Sequence, residues 1–179
     1  MYVDMNRASR SALSDHQQSF LKALIPLAKF TSGQIYSKCL EGEPIRWTDV
    51  GIPPSLLAAH CIHKSEWGNH PVCQRRFKLP DGSTEYGNNL ALLNEAEGSL
   101  NRKIYFDGEP YGSYKDHHDF SIEWSNRFAW TDDYVDVLKE ITLPRQLKLL
   151  SLRERDKEGY LKSVSSIILS YKLYEFDSQ

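Results

Sequence analysis

Apolar residues recur at helical spacing in the first and last thirds of this chain, and turn formers crowd the middle. Phe20, Leu21, Leu24, Ile25 and Ala28 make one apolar face, the mark of a helix packed on a core. Ser14 with Gln17 three residues on reads as the capping box that opens it. Pro26 lies inside that run and is expected to kink the helix or shift its start. From Gly33 to Val50 the pattern turns irregular, with Gly42, Pro44 and Trp47, and predicts a loop insertion with room for one short helix. A second helix is predicted from Pro53 or Pro54, where proline suits the first turn, to about Gly68, a good stop. Its apolar face is Leu56, Leu57, Ala59 and Ile62.

Residues 69 to 115 carry few helical signals. Pro80-Asp81-Gly82 predicts a turn between Phe77–Leu79 and Thr84–Tyr86, and Asp107–Pro110 predicts another after Lys103–Phe106. The last third returns to helix. One runs from Asp116 to Phe128, Thr131 is placed to cap the next, and Pro144 is placed to open another. Tyr160, Val164, Ile167 and Tyr171 then form a stripe expected to be buried. Residues 1–13 are polar and patternless and read as a loose tail. Residues 14–179 read as one domain, of α+β class, mostly helical with a small β-hairpin lobe.

Composition narrows the function classes. The chain has 179 residues, 40% of them apolar and 26% charged, with a net charge of -2, so no basic field points to nucleic acid. No apolar run approaches the roughly 18 residues of a membrane span. The start, Met1–Arg7, has no apolar stretch of signal-peptide type. That leaves the compartment open: the cell wall or exterior if a leader was removed, otherwise the cytoplasm or a phage-associated setting. Ten Tyr, seven Phe and four Trp would serve a glycan cleft or a core. Cys39, Cys61 and Cys73 are too few and odd in number for a dense disulfide framework. Cys61 and Cys73 could pair if the loop after Gly68 folds back, or all three could be buried thiols.

The segment Pro54-Ser-Leu-Leu-Ala-Ala-His-Cys-Ile-His-Lys-Ser-Glu-Trp-Gly68 resembles the active-site helix of bacterial cell-wall glucosaminidases, glycoside hydrolase family 73, written P-S-x-x-x-A-Q-x-x-x-E-S-x-W-G. Four other pieces resemble the same family in the same order. They are Phe20–Ala28, Gly51–Ala59 leading into the helix, Asn88-Asn89-Leu90, and Tyr111-Gly-Ser-Tyr114. At the end, Tyr160–Asp177 resembles the closing Y-x-x-K-I-x-x-I-I-x-x-Y-x-L-x-x-Y-D. The resemblance implies a lysozyme-like fold and a groove for peptidoglycan or another N-acetylglucosamine-containing glycan, with no cofactor or metal. It also implies groove positions at His60, Ser65, Trp67, Asn89 and Tyr114.

The departures fall where the resemblance places chemistry. Lys64 stands where the family has its catalytic glutamate, His60 stands for glutamine, and the G-Y-A-T-D before the last helix is replaced by Arg153–Lys157. Glycoside hydrolysis needs a carboxylic acid that protonates the leaving oxygen. A lysine, with an ordinary pKa of about 10.4, is a poor acid, and its charge opposes an oxocarbenium-like transition state. Glu66 is the nearest replacement, but on a continuing helix it lies roughly 200° around from Lys64. Glu95 and Glu97 are the preferred second carboxylates among Asp81, Glu85, Asp107 and Glu109. His60 and His63 have i, i+3 spacing and His117-His118-Asp119 forms a second cluster, but neither matches a zinc motif. The expectation is a glucosaminidase-like domain that holds a glycan or a protein partner without cutting. The alternatives are an active hydrolase using Glu66 and a non-enzymatic regulatory protein on the same scaffold.

Overall fold

The computed structural model describes residues 13–41, 51–74, 76–78, 84–94 and 103–178. The tail expected for residues 1–13 lies outside these except for Leu13, as do Gly42, Pro44, Trp47, Asp81, Glu95 and Glu97. The fold is α+β and lysozyme-like, with helices around two small antiparallel hairpins. In chain order the elements are α1 (Asp15–Glu41), α2 (Pro54–Ser65), the single turn α3 (Pro71–Gln74), and strands β1 (Arg76–Lys78) and β2 (Thr84–Tyr86). Strands β3 (Lys103–Phe106) and β4 (Glu109–Gly112) come next, then α4 (His117–Trp130), α5 (Val135–Lys139), α6 (Leu143–Ser151) and α7 (Lys157–Ser170). Turns of 3-10 helix cover Asp132–Tyr134 and Leu173–Phe176. None of the described helices is long and apolar enough to cross a membrane.

The capping box forms as the sequence implies: the Gln17 amide donates to Ser14 Oγ at 3.1 Å and the Ser14 amide donates to Gln17 Oε1 at 3.0 Å. Helix α1 then runs on to Glu41, through both Pro26 and Gly33, where a loop was expected. The reason is tertiary. Ala28, Thr31, Ile35 and Cys39 continue one buried face past the glycine, and the packing outweighs the roughly 1 kcal/mol that glycine costs in a helix. Thr31 Oγ1 lies 2.7 Å from Ser121 Oγ, and Lys38 Nζ donates to Ser125 Oγ at 2.7 Å, so α4 is fastened along α1.

Helix α2 is the axle of the molecule. It packs against α1, α7 and the closing 3-10 turn, and Ser55, Leu56, Leu57, Ala58, Ala59, Cys61, Ile62 and Ser65 are buried on it. A face of four apolar residues was expected; small residues let neighbours close on nearly every side. Each fully buried leucine or isoleucine here contributes about 1.5–3 kcal/mol. The helix ends at Ser65, three residues before the expected stop, because Glu66 and Trp67 already adopt left-handed backbone with φ of 50° and 59°.

In the β lobe, Asp107 and Gly108 take φ of 51° and 78° between β3 and β4, the mirror-image turn that matches strand twist. The expected Pro80–Gly82 turn lies outside the described residues, but β1 and β2 pair on either side of it. Gly87 is required by close approach: a Cβ there would stand 1.9 Å from the Val72 carbonyl oxygen. Two expectations in the last third are corrected. Thr131 makes no cap; its hydroxyl donates back to the Arg127 carbonyl, and the next element is a 3-10 turn. In α7 the buried stripe is Tyr160, Val164 and Ile168, one residue beyond the expected Ile167. Pro144 does lie in the first turn of α6. The three cysteines are buried free thiols, so Cys61 and Cys73 are not paired.

Candidate functional site

The closing segment of the chain fixes the start of α2. Asp177 Oδ1 accepts from the Ser55 amide at 2.8 Å and Oδ2 accepts from Ser55 Oγ at 2.6 Å. Pro53 and Pro54 open the helix without a side-chain cap of their own, so a carboxylate from 122 residues away supplies it. With that end fixed, Cys61, Ile62 and Ser65 face the core, while His60, His63 and Lys64 are half-buried. His60 and His63 meet Tyr160 and Ser163 of α7, and Lys64 reaches Glu154 in the turn between α6 and α7.

Lys64 Nζ donates to Glu154 Oε2 in a short ion pair, with side chains 23% and 20% exposed. The turn that carries Glu154 is firmly held. The Arg153 guanidinium donates to the carbonyls of Asp133 and Leu149 and to Asp136 Oδ1. Asp156 Oδ1 caps α7 through the Gly159 amide at 2.9 Å. Two cavities meet at the pair. The first, about 230 Å³, is walled by His60, Lys64, Ala91–Asn94, Trp124, Arg127, Phe128, Tyr134, Leu150, Arg153 and Glu154. The second, about 460 Å³, is walled by His63, Lys64, Leu92, Asn94, Glu109, Tyr111, Arg153–Asp156 and Tyr160. Lys64, Leu92, Asn94, Arg153 and Glu154 belong to both. Together they form one groove, with the ion pair across its floor.

Behind the pair lies an aromatic cluster. His60 Nδ1 is 2.6 Å from the Tyr160 hydroxyl, and its ring is 5.7 Å from that of Trp124. Burial, then the neighbouring Lys64 ammonium and His63, push the His60 pKa down to about 3, so the ring is neutral. Burial raises the Tyr160 phenol well above its ordinary range. His63 Nδ1 is 2.8 Å from Ser163 Oγ and is also pushed down, first by burial and then by Lys64. Among the described residues no group of three His, Cys, Asp or Glu could hold a metal ion.

Of the residues singled out in the sequence, His60 and Lys64 line the groove. Glu66 lines neither cavity; it is the left-handed C-cap of α2, exposed, with its charge felt at His70 and Cys73. Glu95 and Glu97 lie outside the described residues. Ser65, Trp67, Asn89 and Tyr114, expected as groove positions, line neither cavity. Ser65 Oγ accepts from the Gly68 amide at 2.9 Å, and Trp67 packs edge-on against Phe20 and Tyr171. Asn89 is fully buried. Its amide group donates to the carbonyls of Leu93 and Gly112, and its oxygen accepts from the Leu93 amide, so it shapes the Ala91–Asn94 wall from inside. Tyr114 is buried against Phe120, and burial raises its pKa to about 12. Sequence reasoning missed Glu154, Arg153, Arg127 and Trp124 as groove residues. The one signal for Glu154 was an acidic residue in the replaced segment 153–157, opposite in charge to Lys64.

No family model matches the chain. No curated protein matches it either. Solved structures do. The peptidoglycan hydrolase from Sphingomonas sp. A1 superposes with a TM-score of 0.61 at 15% identity, over 89% of this chain and 92% of that one. The glycoside hydrolase domain of Salmonella typhimurium FlgJ superposes with a TM-score of 0.61 at 16% identity, over 89% and 90%. A C-terminally truncated form of that domain gives 0.55 at 18% identity, over 87% and 97%. Nearly the whole chain therefore takes the lysozyme-like fold of these two bacterial hydrolase domains.

Proposed function

We propose that this chain binds a cell-wall-type glycan, one containing N-acetylglucosamine, in the groove beside α2 and does not cleave it. The observation that carries this reading is the ion pair on the groove floor. Lys64 takes the place that the resemblance gives to a catalytic acid, and the nearest carboxylate, Glu154, accepts a hydrogen bond from it. An acid catalyst must donate a proton to the leaving oxygen, whereas an ionised carboxylate only accepts.

The other described carboxylates in the groove offer no better acid. Asp156 is committed as the cap of α7, and Glu109 is exposed on a strand end. Both are exposed rather than enclosed against a bound sugar. Peptidoglycan is the glycan named for one of the similar structures, and the groove keeps aromatic walls and hydrogen-bonding edges suited to sugars.

The test is co-sedimentation with purified peptidoglycan alongside an assay for new reducing ends. Retention on the insoluble glycan without release of reducing ends is expected. Turnover that disappears in Glu154→Gln, Glu109→Gln or Glu66→Gln would overturn the non-hydrolytic reading and identify the acid.

A further inference from the structure

A cavity of about 640 Å³ lies apart from the groove and shares no lining residue with it. Leu21, Ile25 and Pro26 in the first half of α1 form one wall. Tyr171, at the end of α7, and Phe176, in the closing 3-10 turn, form the other. Leu21, Tyr171 and Phe176 are half-buried and Pro26 is exposed, so an apolar surface meets solvent here.

The proline adds a polar feature to that surface. It has no amide hydrogen, so the carbonyl of Lys22, four residues earlier, lacks the donor that an unbroken helix would give it. A tyrosine suits both features, its ring against the apolar walls and its hydroxyl donating to the carbonyl. The closing turn exposes one. Tyr174 is 47% exposed and does not line the cavity of its own chain.

The charges are arranged to match a copy of themselves. Lys22 stands on the α1 wall and Glu175 on the wall of the closing turn, and both are exposed. About a twofold axis every contact occurs twice, with the partners exchanged. Lys22 of one copy then faces Glu175 of the other, and Glu175 faces Lys22 in return. A patch of one sign would repel its own image; a patch with one charge of each sign on opposite walls attracts it.

We infer that this cavity is the contact face of a symmetric dimer, in which each copy seats its closing turn against α1 of the other. The contact does not depend on the proposed glycan binding, and it leaves the residues that line both grooves outside it. Nine described residues line the cavity, fewer than the roughly 20–30 a side of a standard interface, so dissociation in the micromolar range is expected.

Sedimentation velocity between about 5 and 200 µM protein reads the equilibrium, and the parent is expected to pass from monomer to dimer across that range. Lys22→Glu and Glu175→Lys each turn two attractive contacts into two repulsive ones and should weaken the dimer at least about tenfold. Mixed in equal amounts, these two variants should dimerise as the parent does, because each then meets its complement at both contacts. The double variant should dimerise as well. In 0.5 M NaCl the gap between the parent and each charge variant should narrow. Tyr174→Ser, which changes no charge, should also weaken the dimer and keeps the test decisive should a charge variant fail to fold. A parent still monomeric at about 200 µM overturns the inference. So does a mixture of the two charge variants that stays monomeric, since a twofold contact between Lys22 and Glu175 must restore it.

Discussion

Replacing Lys64 or Glu154 singly should destabilise the protein far more than replacing both. The pair joins the last turn of α2 to the turn between α6 and α7, and each side chain is about four-fifths buried. At about 4 Å and an effective dielectric of 20, opposite charges attract by roughly 4 kcal/mol. Desolvation offsets much of this, so the intact pair adds little beyond an apolar substitute. An exposed pair couples by about 0.2–1 kcal/mol, and breaking a buried one costs about 3–5 kcal/mol. This pair lies between those limits, so Lys64→Met and Glu154→Gln are each expected to cost about 2 kcal/mol. In Lys64→Met a carboxylate is left buried without its ammonium. In Glu154→Gln an ammonium is left beside Arg153, His60 and His63.

The double variant removes both charges and should lose under about 1 kcal/mol, giving a coupling of about 3 kcal/mol. A protein of this size shifts in Tm by about 2–4 °C per kcal/mol. Each single variant should therefore melt about 4–8 °C lower, and the double variant within about 4 °C of the parent. Lys64→Glu places two carboxylates in contact and should melt lowest, and exchanging the two residues should recover most of the loss. Urea and thermal unfolding of the five proteins measure this. Additive single variants, or an exchanged pair no better than Lys64→Glu, would refute the electrostatic account of the groove floor.

The same geometry sets two further expectations. His60 has its pKa pushed down to about 3, so below its ordinary value near 6.5 the unfolded chain binds a proton that the folded protein refuses. Stability is thus fully present above about pH 6.5 and is lost as pH falls towards 3, by about 3 kcal/mol at pH 4.5; His60→Gln should flatten that slope in urea titrations run between pH 7.5 and 4.5. Asp177→Ala removes the cap on α2 and should cost about 1–2 kcal/mol, read as a lower urea midpoint with an unchanged slope. A loss below about 0.3 kcal/mol would show that the closing turn does not hold α2.

The fold was legible because the recognisable pieces of sequence are pieces that hold the scaffold. The serine of Pro54-Ser55 and Asp177, the last residue of the closing piece, come from separate pieces of the resemblance and meet as one cap. Asn89 of the Asn-Asn-Leu piece pins the groove wall, and Tyr160, the first residue of the closing piece, reaches His60 on α2. Contacts of this kind constrain residue identity from both sides, so they leave a readable pattern. The length of α1 was not legible. Gly33 and a local break in periodicity argue for a loop, and only the packing of Ile35 and Cys39 overrides them.

The site was legible on one side only. Lys64 stands out because it occupies a motif position, whereas Glu154 belongs to a segment with no motif left and lies 90 residues away. Local sequence carries no record of an ion pair across that distance. The lysine at position 64 does carry an implication. An ammonium turned into a groove among Arg127, Arg153 and His63 would be repelled unless a carboxylate came to meet it. The replaced segment 153–157 supplies three cations and two carboxylates, of which only Glu154 is free of capping duty. Lys64 and Glu154 therefore belong together: each supplies the charge that makes the other tolerable in the groove.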